Sequence, residues 1–219
     1  MQVPNKGEKM KKCYIVGAGE NYGLDIRTEE GDLVIAADAG YKTLLEAGIT
    51  PDIVVGDFDT LKYIPDHPNV VRLSPIKDVT DTWEAVSIGL KQGYKEFHLY
   101  GCMGGRVEHT IANIQLLSHI SVEGGRGYLY DEKNILTIIK GGERITFDAT
   151  ENGFISVFSL TDRSSGVNIS GLKYNVTDTE LTNTFPLGVS NEFIEKPSYI
   201  SVSEGTLLII YPQKHLTNP

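Results

Sequence analysis

Five aspartates stand just past short apolar runs: Asp38 after Ile35-Ala36-Ala37, Asp57 and Asp59 after Ile53-Val54-Val55-Gly56, and Asp78 and Asp81 after the run around Val71. Apolar runs of this length read as strands of a parallel sheet, and such sheets bind ligands at the carboxyl ends of their strands. Clustered carboxylates at that edge suit magnesium, a hard cation held by carboxylates together with water and substrate phosphates. The chemistry to expect is therefore metal-assisted and nucleotide-dependent. Asp57 and Asp59 lie two residues apart, so an extended chain would point both side chains the same way. The plain alternative is a solvated turn, where aspartate is common. Asp78 and Asp81, three apart, would share one face of a helix that they open. Asp78 could be its N-cap and Asp81 a first-turn acid, while the free amides of the same turn could receive a phosphate.

A second constellation runs Gly101-Cys102-Met103-Gly104-Gly105-Arg106-Val107-Glu108-His109, directly after the apolar run Phe97–Tyr100. Gly104 and Gly105 would let backbone amides approach a phosphate, and Arg106 supplies a forked cation for charge developing in phosphoryl transfer. A tight turn and a surface ion pair of Arg106 would account for the same residues. His109 could contact a nucleotide or be an ordinary polar residue. Nearer the start, Gly17, Gly19 and Gly23 follow a strand and Asp38 comes about twenty residues later, which imitates a dinucleotide fingerprint. The third glycine arrives one position late, and hydride transfer gives no task to the carboxylates at 57, 59 and 81. There is no Walker lysine loop, no Gly-x-Ser-x-Gly elbow, and no metal-ligand spacing around either cysteine.

These residues need a frame to bring them together. Strand-length runs at Tyr14–Val16, Leu33–Ala37, Ile53–Val55, Val70–Leu73, Phe97–Tyr100 and Tyr128–Tyr130 alternate with helical patterns. The clearest helix spans Asp78 to Leu90, with Val79, Trp83, Val86 and Leu90 on one side; another spans about Arg106 to His119. Alternation of this kind predicts an α/β fold with a mostly parallel sheet flanked by helices. From about Asn134 the pattern changes. Ile135–Lys140, Gly141-Gly142 and Glu143–Phe147 read as a hairpin, and Phe154–Leu160, Ser198–Val202 and Thr206–Tyr211 as further strands of a smaller antiparallel β-sandwich domain. The expected organisation is a loose leader at residues 1–9, an α/β domain at 10–133 and a β-sandwich domain at 134–219.

Composition narrows the function classes. The 219 residues are 40% hydrophobic and 22% charged, which describes an ordinary folded chain. Twenty basic against 29 acidic residues give a formal charge of −9 with no cationic block, so nucleic acid is not an expected partner. No run approaches the 18 or so apolar residues of a membrane span, and nothing resembles a signal peptide, so the expected location is cytoplasmic. Cys13 and Cys102 are expected to be reduced thiols. The sequons at Asn168 and Asn175 carry no weight without an export signal.

Taken together, Ala37-Asp38-Ala39-Gly40, Gly56-Asp57-Phe58-Asp59-Thr60, Lys77-Asp78-Val79-Thr80-Asp81 and Gly104-Gly105-Arg106-Val107-Glu108-His109 strongly resemble thiamine pyrophosphokinase. In the second half, Gly171-Leu172-Lys173-Tyr174 and Gly188-Val189-Ser190-Asn191-Glu192-Phe193 resemble the thiamine-side signature of that family. The match runs in order from residue 13 to 211. It departs at Glu108, where Asp is usual, at Tyr174, where other members carry Trp, and at Lys77, where some have Gln. The resemblance implies an α/β nucleotide domain, a β-sandwich domain, and a homodimer binding thiamine between one subunit's first domain and its partner's second. It implies attack of the thiamine hydroxyl on the β-phosphorus of ATP, releasing AMP and thiamine diphosphate. By the same resemblance Asp57, Asp59 and Asp81 are similar to magnesium ligands. Asp38, Gly40, Gly104, Gly105, Arg106 and His109 are similar to ATP-side residues, and Tyr174, Ser190 and Asn191 would face thiamine. An aromatic ring suits a thiazolium cation, and a polar pair could orient the aminopyrimidine. Asp78 is a candidate general base, although positioning and charge neutralisation can suffice for phosphoryl transfer. The competing readings are a nucleotide-dependent oxidoreductase built on Gly17, Gly19 and Asp38, and a thiamine or nucleotide sensor without turnover.

Overall fold

The computed structural model describes residues 10–213 apart from Pro75 and Lys77, so the expected leader at 1–9 lies outside the described residues. The chain divides into two compact units between Gly127 and Tyr128.

The first unit is an α/β sheet. Strands β1 (Lys12–Val16), β2 (Leu33–Ala37), β3 (Ile53–Gly56), β4 (Val70–Arg72) and β5 (Glu96–Tyr100) pair in the order β5-β1-β2-β3-β4, all parallel. Cys13, Ile15, Val54, Val55, Phe97 and Leu99 are fully buried, as continuous apolar strands covered on both faces must be. Helix α1 (Gly40–Glu46) joins β2 to β3, α2 (Asp81–Lys91) joins β4 to β5, and α3 (Val107–Val122) follows β5. A side chain at Gly89 of α2 would collide with the Phe97 ring and Cys13 Sγ, so glycine lets this helix lie close to β1 and β5. Trp83 of α2 stacks on His119 of α3 at 4.3 Å between centroids. The opposite side of β1 and β5 is covered by an irregular segment. There the hydroxyls of Tyr14 and Tyr100 donate to the carbonyls of Arg27 and Asp25.

Helix α2 starts three residues later than its periodicity suggests. Thr80, in an extended conformation, is the N-cap, and its hydroxyl accepts from the Trp83 amide at 3.1 Å. This corrects Asp78 as the expected cap: Asp78 lies in an exposed bend before the helix, and Val79 is outside the apolar face that Ala85, Val86 and Gly89 bury.

The second unit packs two antiparallel sheets. One has the order β12-β9-β14-β7, with β6 (Arg126–Tyr130) beside β7 through its residues Tyr128 to Tyr130. Its strands are β7 (Asn134–Lys140), β9 (Phe154–Ser159), β12 (Gly188–Glu192) and β14 (Thr206–Pro212). The other has the order β11-β10-β13-β8, formed by β8 (Arg144–Phe147), β10 (Arg163–Ser170), β11 (Val176–Thr182) and β13 (Ser198–Ser201). Ile139, Ile155, Val157, Val167, Leu172, Ile200 and Leu207 fill the space between them. Phe147 meets Phe193 and Tyr211 edge-on at 5.3 and 5.1 Å.

The hairpin expected at Gly141-Gly142 is not one. Strand β7 pairs with β14 along its full length, while β8 pairs with β13 in the other sheet. Gly142, at φ 85°, donates to the Val202 carbonyl, and Gly141 donates to the Gly205 carbonyl. The two glycines thus carry the chain from one sheet to the other.

Candidate active site

The acidic residues after β2 and β3 converge. Asp38 is 4% exposed with φ 48°; its amide donates to the Val55 carbonyl at 2.8 Å, and its carbonyl accepts from the Tyr41 amide at the start of α1. The expectation that Asp57 and Asp59 share a direction through an extended chain is wrong in its mechanism. Between them Phe58 is buried with φ 62°, so the chain turns in the left-handed region rather than continuing as a strand. A non-glycine residue held there costs about 1–3 kcal/mol, strain of the kind found at functional sites. The turn lets the Asp59 amide donate to Asp57 Oδ1 at 3.2 Å, and the Thr60 hydroxyl donate to Asp59 Oδ1 at 3.1 Å. Carboxylate oxygens of Asp38, Asp57 and Asp59 all lie within 4.8 Å of one another.

Electrostatically this group is uncomfortable by itself. Burial pushes the Asp38 carboxyl above its ordinary range. Hydrogen bonding from Thr60 and Ala39 pulls it back, and the charges of Asp59 and Asp57 push it up again. Among the described residues, Asp38 Oδ1 is buried without a hydrogen-bond partner. A buried polar atom left unpaired is costly, and a divalent cation would both pair it and remove the repulsion. Three carboxylates with oxygens this close together are the hard, anionic donors that magnesium prefers. The donor set therefore fits a hard cation.

Of the other acids singled out in the sequence, Asp81 is the first residue of α2, half-buried, and does not belong to this three-residue group. Asp78 is exposed in the bend before Thr80, and Lys77 lies outside the described residues. Gly40 opens α1 because nothing larger fits: a Cβ there would come within 1.9 Å of the Val16 carbonyl oxygen.

The glycine-rich segment after β5 is laced to the segment after β1. The amides of Gly17, Gly19 and Glu20 donate to the carbonyls of Tyr100, Gly101 and Met103. Side chains at Gly17, Gly19 or Gly101 would strike the opposite backbone at 2.7 Å. These glycines therefore serve backbone-to-backbone packing. Residues 17–32 form no helix, so the dinucleotide fingerprint lacks the helix N-terminus it needs, and the oxidoreductase reading loses its physical basis. Gly104 and Gly105 both have positive φ, at 79° and 62°. Arg106, the N-cap position of α3, is exposed, and its Nε pairs with Glu108 Oε1 at 2.7 Å; His109 is exposed in the first turn.

Two residues here escaped the sequence reading. Glu20 Oε1 accepts from the Gly105 amide at 3.2 Å, while the Tyr22 hydroxyl donates to Glu20 Oε2 at 2.7 Å. Asn113, 5% exposed inside α3, donates from Nδ2 to the Cys102 carbonyl at 2.6 Å. Its signal was a polar residue three, four and seven positions before Leu116, Leu117 and Ile120, on the face that α3 buries. Burial pushes the Cys102 thiol up to about 12, so it is no nucleophile.

In the second unit Tyr174 is 62% exposed and Ser190 is exposed with φ 57°, its amide donating to Ser156 Oγ at 3.0 Å. Asn191 is 6% exposed, and both ends of its side-chain amide are bonded to the Tyr174 backbone. A cleft of about 310 Å³ in this unit, between β9 and residues 181 to 188, is lined by none of these three.

A parallel α/β unit with a carboxylate group and a glycine-rich turn at its strand ends, followed by a β-sandwich, is the build of a phosphoryl-transferring enzyme. The model of the thiamin pyrophosphokinase catalytic domain matches residues 26–141, and the model of the vitamin B1 binding domain of the same enzymes matches residues 143–207. The chain belongs to the thiamin pyrophosphokinase family and transfers pyrophosphate to thiamine. It is 29% identical over 211 residues to the thiamine pyrophosphokinase of Bacillus subtilis, covering 92% of this chain and 98% of that one. Crystal structures of thiamin pyrophosphokinases share the fold. The one from Bacillus subtilis matches at TM-score 0.81 with 27% identity, covering 94% of this chain and 100% of that one. The one from Geobacillus thermodenitrificans matches at 0.80 with 28% identity, covering 94% and 99%. Among the described residues no helix is long and apolar enough to cross a membrane.

Proposed function

We propose that the pyrophosphate donor is ATP, that AMP leaves, and that a magnesium ion bound at the acidic group neutralises the phosphates during transfer. The observation that carries this reading is the meeting of three carboxylates, one with a buried oxygen that no group among the described residues pairs. Asp38, Asp57 and Asp59 are the ligands the geometry supports, and Asp81 is the one the family resemblance adds. When bound, the ion supplies positive charge to the phosphate oxygens and lowers the cost of their approach to the carboxylates.

The protein's own groups do the rest. The amide of Gly104 and the guanidinium of Arg106 receive phosphate oxygens, and the Gly105 amide joins them by exchanging the Glu20 carboxylate for a phosphate. Among the described residues Arg106 is paired only through Nε, with Glu108, which leaves its other donors for this role. Gly40 and His109 border the nucleotide. The thiamine hydroxyl oxygen forms a bond to the β-phosphorus of ATP, the bond from that phosphorus to the bridging oxygen of AMP breaks, and the hydroxyl proton leaves, with Asp78 the candidate acceptor. Thiamine is held in the second unit, its cationic ring against Tyr174 and its pyrimidine near Ser190. On this reading residues 10–133 form the ATP- and magnesium-binding domain and 134–219 the thiamine-binding domain. The working form is a cytoplasmic homodimer whose active sites each use both subunits.

Incubation with ATP, magnesium and thiamine, followed by separation of the nucleotides, tests the proposal. AMP and thiamine diphosphate should appear in equal amounts. ADP with thiamine monophosphate would refute it.

A further inference from the structure

We propose that Asn191 is a positioning residue that acts on thiamine through Tyr174 and does not itself contact it. The inference rests on the reading of Tyr174 as the ring facing thiamine. An asparagine side chain offers one carbonyl and one NH2. Here Oδ1 accepts from the Tyr174 amide at 2.9 Å and from the Glu192 amide at 2.9 Å, while Nδ2 donates to the Tyr174 carbonyl at 2.6 Å. With 6% of the residue exposed, little of it faces a ligand. Tyr174 is the converse, its backbone tied on both sides and 62% of its surface exposed.

The surroundings extend the clamp. The Lys173 amide donates to the Glu192 carbonyl at 2.9 Å, and Leu172 and Phe193 form an isolated antiparallel bridge. The segments 172–174 and 191–193 are therefore fastened together along their length, with Asn191 closing the end at Tyr174. Lys173 Nζ lies 5.8 Å from the Tyr174 ring centroid, which would repel a cationic ligand if the charge stood alone. Glu192 Oε2 pairs with that ammonium at 2.7 Å and offsets it. The result is an exposed aromatic face on an immobilised backbone with its neighbouring charge neutralised. A fixed platform binds more tightly than a mobile one because less freedom is lost on binding.

The test is a double-mutant cycle on the full chain: Asn191→Ala, Tyr174→Ala and both together, with KM measured separately for thiamine and for ATP and a melting curve for each protein. A cation–π contact is worth about 2- to 30-fold in binding. Tyr174→Ala should raise the thiamine KM within that range, Asn191→Ala should raise it comparably, and neither should move the ATP KM. If Asn191 acts through Tyr174, the double variant is no worse toward thiamine than Tyr174→Ala alone. Multiplying effects would mean that Asn191 contacts thiamine directly and would overturn the proposal. So would an unchanged thiamine KM in Asn191→Ala beside a raised one in Tyr174→Ala. An unchanged thiamine KM in Tyr174→Ala would instead sink the reading of the ring itself, and the inference with it. Should Asn191→Ala not fold, Asn191→Asp takes its place, since it keeps the acceptor and loses the donor to the Tyr174 carbonyl.

Discussion

Asp38, Asp57 and Asp59 illustrate how a site can be unfavourable to the fold that carries it. Burial and two neighbouring carboxylates raise the Asp38 carboxyl, and its Oδ1 has no partner among the described residues. Removing one of the surrounding charges should therefore relieve the protein in the absence of metal while disabling the reaction. For Asp57→Asn and for Asp59→Asn we expect turnover to fall by at least about 10²-fold, the scale at which electrostatic stabilisation of transferring groups acts. Melting temperature without magnesium should stay level or rise. Magnesium should raise the melting temperature of the parent, as any ligand of the native state does, and raise that of the variants less. A large loss of metal-free stability in either variant would show that the carboxylate is a structural cap. The convergence itself was only half legible. That aspartates end these strands follows from the sequence, but the left-handed Phe58 that turns Asp57 and Asp59 toward one another does not, because phenylalanine carries no preference for that conformation.

At the scale of elements, the strands that were easiest to read are those buried on both faces, such as Leu33–Ala37, because a continuous apolar run needs no partner to identify it. Strands β10 and β11 gave no such signal. Arg163–Ser170 and Val176–Thr182 are largely polar and pair through register shifts, so only their long-range partners make them strands. The Gly141-Gly142 turn misled for the same reason: two adjacent apolar segments look like a hairpin unless the far strand β14 is known to occupy the neighbouring place. The glycine-rich turn after β5 depends on such distant support. Asn113 of α3 holds the Cys102 carbonyl at 2.6 Å, and Asn113→Ala leaves that buried carbonyl without its side-chain partner. The expected cost is about 1–3 kcal/mol of stability, read from denaturant midpoints. If the turn receives ATP, the ATP KM should rise while the thiamine KM holds. An equal rise in both would argue that the turn serves the whole active site and not the nucleotide.

For the whole molecule, the decisive question is whether one chain contains a complete site. Each unit is compact by itself, with the acidic group in the first and Tyr174 in the second. The proposed homodimer with shared sites makes a quantitative demand. Let one chain carry Asp57→Asn and another Tyr174→Ala, co-expressed in equal amounts and assayed at thiamine far below the KM of the Tyr174→Ala protein. Random pairing makes about half of the dimers mixed. In a mixed dimer with shared sites, one site collects both defects and the other collects neither, so about one quarter of parental activity should return. If each chain instead builds its own site, every site in every dimer carries a defect and the sample gives only the mean of the two single variants. Light scattering on the same sample, reading a mass near twice the 24.1 kDa of the chain, checks that dimers are present. Activity above the mean of the two single variants requires both that the chains pair and that the two units of one site come from different copies.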